Sequence, residues 1–434
     1  MLVALVNSEP GLRKAAALVL LSVSAIFGVG LFGAQLATPD RFGCVYSGED
    51  FFALYSSARL VLQGEGAAIF EPTRRLETEA ALKEEAGSKC GPLPAAYWPG
   101  FLLPVLPLTL FAPRTAYYLW VALSIGLILF ACWRLSRADG LRPWGFWFVA
   151  VGFFPVTIGL LSGQLHPWQV LALSEFWLAW RRRADRAAGL WLSIQVVKPH
   201  YVPLMLLYLA WQRAGQALRW FMAASAAWLI VSVLLAGGFE GVAAYVRLYW
   251  DTFVPVNAAS QSVSQMINWR ALALVWFGAG GTDLVGVTTA ICSGVTVGLI
   301  VWSWRLRPQS AAALEPQAFL TLTVAVLLVG YYTHLYSVSL LLVPSLPLLG
   351  ELGRAHGWRT RFWSVLMDIV LLGPSLMAIA LLSASPALWI AANQALLLLL
   401  TVVLLADVFV SLPQRVNDEL VSTNARRFAD TAAN

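Results

Sequence analysis

Apolar residues run along this chain in long blocks separated by short polar punctuation. Arg13 and Lys14 precede the first block, 15–37, which is longer than the core of a signal peptide and predicts an uncleaved first span. Further blocks fall at 115–135, 144–161, 167–180, 187–197, 200–211, 218–236, 284–304, 318–332, 335–349, 362–382 and 387–406. Between the first two lies a polar stretch, 38–98. Within it Phe51, Leu54, Tyr55, Ala58, Val61 and Leu62 recur at three- and four-residue spacing, with Ser56, Ser57, Arg59 and Gln63 mostly elsewhere. That pattern predicts an amphipathic helix on the bilayer surface. Residues 72–86 are charge-rich, with Glu79 and Lys83 spaced as a helical pair, and read as a solvated structural helix. From Gly91 to Pro113 the prolines rule out a regular lipid-facing helix.

Basic residues set the sidedness. Arg134, Arg137 and Arg142, then Arg181, Arg182, Arg183 and Arg186, then Arg213 with Arg219 form successive clusters, followed by Arg305, Arg354, Arg359 and the tail arginines. All fall on one side if 187–211 enters and leaves as two arms broken at Lys198-Pro199. The expected architecture is an all-α polytopic membrane protein of about twelve passes with external juxtamembrane helices. Residues 1–412 form one domain, with external loops over 38–98 and 237–283, and 413–434 form a polar cytoplasmic tail. Both termini are expected in the cytoplasm, and the loops outside an inner (plasma) membrane.

Composition sharpens the class. The chain is 59% hydrophobic and 12% charged, with mean hydropathy +0.71, which excludes a soluble domain. The net charge of +6 is therefore read through topology and membrane lipids, not nucleic acid. Of four cysteines, Cys44 and Cys90 share the first external loop, as a disulfide or as two free thiols.

The unusual polar residues gather at the outward ends of short passes. Glu49 and Asp50 open the predicted surface helix, either as a cap with a solvated neighbour or as a base favoured by the helix dipole. A negative neighbour such as Glu49 tends to raise the pKa of Asp50. Lys198, flanked by apolar residues and Pro199, either snorkels to the interface or meets an anion such as a lipid phosphate. Gln164 with His166, His200, and His334 with Tyr336 fall at the same face, as do Gln261 and Gln265, four residues apart in the second loop. Each histidine either binds phosphate or sugar, or is satisfied between helices. Glu175, Asp368 and Asp407 lie near inner ends and read as structural. No zinc, nucleotide or dinucleotide motif is present, and no metal site is expected.

An acid just after the first span, an external helix and a many-pass bundle with an outward cavity resemble the GT-C membrane glycosyltransferases. More narrowly, the chain resembles glycosyltransferase family 87, also catalogued as a domain of unknown function, which includes polyprenyl-phosphate-mannose-dependent alpha-mannosyltransferases. The likeness rests on Asp50-Phe51-Phe52-Ala53-Leu54-Tyr55 with Ala58 and Gly64, and on Tyr97-Trp98-Pro99 with Pro104 and Pro107. Gly163-Gln164, Lys198-Pro199, Gln261-Ser262 and His334-Leu335-Tyr336 complete it. His166 stands where the family often has Asn, and Trp98-Pro99 departs from its usual proline pattern.

The resemblance implies transfer of a hexose, mannose favoured, from a polyprenyl-phosphate carrier to a lipid or glycan hydroxyl by single inverting displacement. Asp50 is then the base, Lys198 with His200 holds the donor phosphate, and His334 assists its departure. Glu49, Arg59, Gln164, His166, Gln261, Gln265 and Tyr336 are expected to hold substrate. No cofactor is required, and the chemistry leaves room for a divalent cation. A transporter or flippase for lipid-linked sugars, or an oligosaccharide polymerase or ligase, is the alternative class.

Overall fold

Proline and glycine punctuation turns the apolar blocks into helices with defined ends. The computed structural model describes Leu2, scattered positions between 18 and 33, and residues 48–87, 93, 97–141, 143–248, 250, 266–278, 281–306, 315–354, 357–382, 388 and 390–409. The helices are α1 Glu49–Leu62, α2 Pro72–Glu85, α3 Pro113–Ala138, α4 Pro143–Gly152, α5 Phe154–Ser162, α6 His166–Arg181, α7 Asp185–Ser193 and α8 Val202–Trp211. They continue as α9 Gly215–Leu235, α10 Phe239–Leu248, α11 Trp269–Phe277, α12 Thr282–Leu306, α13 Pro316–Val329, α14 Leu342–Leu352, α15 Trp358–Leu382 and α16 Ile390–Phe409. Short 3-10 turns link several of them, and among the described residues one isolated bridge, Met266 with His334, is the sole extended pairing.

Helices α3, α9, α12, α16 and the continuous 335–352 segment are each long and apolar enough to cross a membrane. The α4–α5 pair, bent by 66° beside Pro155, passes the same test as one unit. The chain is an all-helical membrane protein with five to six such spans among the described residues. Other predicted passes also form helices, but α6 has 16 residues and reaches about 24 Å, short of the roughly 30 Å hydrocarbon core.

The 335–352 segment is almost wholly buried and packs against α5, α6, α13 and α15, making it the centre of the main core. A second core collects around α1, where Phe51, Phe52, Leu54 and Tyr55 meet Tyr117, Trp120 and Val121 of α3. Here the surface-helix expectation needs correction, because α1 is buried nearly all round. Its small polar residues permit this: the Ser56 and Ser57 hydroxyls both donate to the Ala53 carbonyl, at 3.0 and 2.8 Å. Helix α2 is likewise less solvated than expected, since Arg75, Glu79 and Lys83 are buried along one face.

Helix α3 connects two ends of different character. At its N-terminal end Tyr117 and Trp120 reach the turn at 161–163. At the other end Arg134 pairs with Glu175 at 2.8 Å and Arg181 with Asp139 at 2.8 Å. Glu175 thus has a structural partner, as anticipated. Tyr117 and Arg137 are about 30 Å apart along the helix, the thickness of a bilayer core. Cys44, Cys90, Gln261, Gln265 and the tail 413–434 lie outside the described residues.

Candidate active site

Asp50 owes its position to two glycines. Gly48 caps α1 at φ 77°, and its N–H donates to the Leu161 carbonyl at 2.9 Å. A β-carbon there would come within 2.8 Å of the Tyr117 ring. Gly163, at φ 74°, ends α5 and lies so close to α1 that its β-carbon would sit 2.4 Å from that of Phe51. The Tyr117 hydroxyl donates to Leu161 O at 2.7 Å and Trp120 Nε1 to Gly163 O at 2.9 Å, locking the turn that presents Gln164. Replacing Gly163 with Ala combines positive-φ strain with a backbone clash and is expected to destabilise by about 2–4 kcal/mol. Thermal unfolding of the detergent-purified variant measures this; an unchanged midpoint would contradict the close docking.

Asp50 keeps a partly accessible surface while its neighbours crowd the carboxylate. The Tyr97 hydroxyl stands 3.1 Å from Gln164 Oε1 and 3.4 Å from Asp50 Oδ1, so Gln164 lies beside Asp50. Burial pushes the Asp50 carboxyl up to about 6, opposed by the Gln164 side chain, the charge of Lys198 and the Tyr97 bond. Glu49 rises to about 7, again through burial, with Lys83 opposing and Asp50 and Glu79 adding. The dominant cause is thus desolvation; Asp50 raises Glu49, whereas the acid that adds to the rise of Asp50 is Glu79 and not the anticipated Glu49.

Lys198 approaches from a different part of the fold. It sits between the 3-10 turns Ile194–Val197 and Pro199–Tyr201, where Pro199 prevents helix continuation. Gln195 anchors the break by donating to Gln169 O at 2.8 Å, while Gln169 Nε2 reaches Gln195 Oε1 at 3.3 Å. Lys198 Nζ donates to the Tyr336 hydroxyl at 3.2 Å and lies 4.2 Å above that ring. Among the described residues no carboxylate stands within ion-pairing distance of it, and it is 7% exposed. Its charge nevertheless reaches Asp50, His166, His200 and His334.

The histidines surround this ammonium. His334 stacks on Tyr336 with centroids 5.4 Å apart and meets Tyr332 edge-on at 4.8 Å. Its Nδ1, both ring nitrogens of His166 and Nε2 of His200 are buried without hydrogen-bond partners among the described residues. These four atoms, in one region, are buried hydrogen-bonding groups left unmet by the protein among the described residues. The 330–334 loop is tied down by Asn268, whose side chain donates to Gly330 O at 2.7 Å and Tyr331 O at 3.0 Å and accepts from Ala271 N. Ile267 N adds a bond to Thr333 O at 2.9 Å.

Asp50, Gln164, Lys198, His166, His200, His334 and Tyr336 therefore share one electrostatic neighbourhood, with Glu49 beside it. Arg59 does not: it lies nine residues along α1 from Asp50, about 13 Å, over the Tyr55 ring. Tyr97 was legible only as part of a proline-flanked motif, although its hydroxyl touches both Asp50 and Gln164. Buried Arg270, 4.3 Å above the Tyr331 ring, also borders the region, as expected of the polar residues of the second external loop. Among the described residues no group of His, Cys, Asp and Glu is arranged to hold a metal ion.

Chemically, the site brings a carboxylate and three imidazoles within electrostatic reach of one ammonium. The family model of glycosyltransferase family 87 matches residues 96–337, more than half of the chain. Tyr97, Gln164, Lys198, His334 and Tyr336 fall inside the match, and Glu49 and Asp50 precede it. No curated protein and no solved structure matches the chain.

Proposed function

This chain belongs to glycosyltransferase family 87, and from that premise we propose that it transfers a hexose, mannose favoured, from a polyprenyl-phosphate carrier to a hydroxyl of a lipid or glycan acceptor. The carrying observation is that Asp50 and Lys198 lie within electrostatic reach of each other in one largely buried polar cluster. Asp50 accepts the acceptor hydroxyl proton as that oxygen bonds to the anomeric carbon. The carbon–oxygen bond to phosphate breaks in the same displacement, the electron pair leaves with the polyprenyl phosphate, and the anomeric centre inverts. Lys198 and the histidine nitrogens stabilise the departing phosphate. Asp50 then returns its proton to water.

A lipid-borne donor is supported by an apolar groove of about 300 Å³ lined by Trp98, Phe101, Val196, Met222, Ser225 and Trp228. Trp98 adjoins Tyr97, Val196 lies two residues before Lys198, and Met222 is 60% exposed on α9, a face suited to lipid. In this reading about twelve passes form a GT-C-like bundle in the inner membrane, with the basic cluster cytoplasmic and the Asp50 end periplasmic. Purified protein in liposomes is expected to transfer labelled mannose from polyprenyl-phosphate-mannose and not from a nucleotide-mannose. Movement of the lipid-linked sugar between leaflets without a covalent product would favour the flippase instead.

The pH dependence follows from the base. Transfer requires ionised Asp50, so its rate is expected to fall about tenfold per unit as pH drops below about 6. A rate flat from pH 5 to 7.5 would remove an ionised Asp50 from the rate-limiting step.

A further inference from the structure

Arg75, Glu79 and Lys83 form a triad along one face of α2 and are 2, 0 and 1% exposed. Arg75 Nη1 and Lys83 Nζ each reach a Glu79 oxygen at 2.9 Å. The triad also takes hold of a backbone outside its helix. Leu93 N donates to Glu79 Oε1 at 3.0 Å, and Arg75 Nη2 donates to Leu93 O. Both polar groups of one residue are thus held by one ion pair.

The sequence around Leu93 makes that grip consequential. Pro92 and Pro94 flank it, so Leu93 carries the only backbone N–H in the tripeptide. The residue before a proline is also biased to extended conformations, which restricts Leu93 itself. Four residues on, Tyr97 places its hydroxyl between Asp50 and Gln164. Buried ion triads are commonly no more stabilising than apolar residues of the same volume, so stability alone does not account for this one.

We propose that the Arg75–Glu79–Lys83 triad is a positioning device that clamps Leu93 and thereby holds Tyr97 against the Asp50 carboxylate. Arg75 and Glu79 are positioning residues, acting on the reaction through Tyr97 and contacting no substrate. This assignment rests on Asp50 being the base, and its test separates the two claims.

The test is a double-mutant cycle of Arg75→Gln and Tyr97→Phe, read as kcat/KM for sugar transfer in liposomes. Arg75→Gln leaves the Glu79–Lys83 pair in place. Each single variant is expected to lose about tenfold, and the double variant also about tenfold, because both remove the same contact. A hundredfold loss in the double variant would show independent action and overturn the proposal. So would wild-type rates in either single variant. If Arg75→Gln does not fold, Arg75→Lys, which keeps the charge but loses the planar fork, takes its place in the cycle. Hydrogen exchange supplies a readout independent of activity: the Leu93 amide is expected to exchange faster in the Arg75 variant, and unchanged protection would overturn the clamp. Asp50 is intact throughout the cycle, so Asp50→Asn alone tests the base; an active Asp50→Asn variant removes that reading, whereas an additive cycle removes only the clamp.

Discussion

Exchange of Asp50 for Asn is expected to slow sugar transfer about a thousandfold while leaving the protein at least as stable as before. The loss follows from removing the proton acceptor in the transition state, which general-base catalysis values at about 10²–10⁴-fold. The stability follows from the sign of the pKa shift. An acid whose folded pKa is raised, here from 3.8 to about 6, contributes stability below its unfolded value that is lost as pH rises through the folded one. At neutral pH the fold therefore carries Asp50 as a destabilising carboxylate, and the neutral amide relieves it. Thermal unfolding at pH 7.5 checks this alongside the rate; a large drop in midpoint would mean that the carboxylate holds the fold together.

Lys198→Met is expected to lower kcat/KM for the donor by about 10²–10³-fold, the scale of losing a charged group that meets developing negative charge. Methionine preserves the apolar stem and removes only the ammonium. Because Lys198 has no ion-paired carboxylate among the described residues, its loss leaves no orphaned buried acid at bonding distance. Binding of the donor and release of the phosphate both weaken, so KM rises as kcat falls. Lys198→Arg is expected to recover only part of the loss, because the larger guanidinium spreads over several nitrogens the charge that the compact ammonium concentrates above the Tyr336 ring. Steady-state kinetics with the lipid-phosphate donor decide it: unchanged KM and kcat in Lys198→Met would place the phosphate elsewhere.

Much of the site was legible because charge in an apolar sequence is conspicuous. Asp50, Lys198 and three histidines stand out from their flanks, and one rule about basic loops predicts that they share a face. Their convergence was thus visible before any packing was known. The break at Lys198-Pro199 was equally legible, since proline cannot continue a helix.

What sequence patterning missed has identifiable physical causes. Helix α1 looked amphipathic because serine counts as polar, but Ser56 and Ser57 satisfy themselves on Ala53 and bury without penalty. Charges four apart on α2 looked solvated, whereas their partners include a backbone segment brought in by tertiary structure. Arg59, on the same helix as Asp50, is carried about 13 Å along the axis from it by the helical rise. Tyr97 was legible only within its proline-flanked motif, and only the fold reveals where its hydroxyl goes. The short apolar blocks became helices, but local periodicity does not state whether a helix of α6 length crosses a bilayer.

The central claim is single-displacement transfer from a lipid phosphate with Asp50 as base. It is tested most directly by incubating wild-type and Asp50→Asn proteoliposomes with polyprenyl-phosphate-mannose labelled with 13C at the anomeric carbon, and reading the product by NMR. The account predicts a new glycoside of opposite anomeric configuration from the wild type and none above background from the variant. A product of retained configuration, or equal product from both proteins, would contradict it.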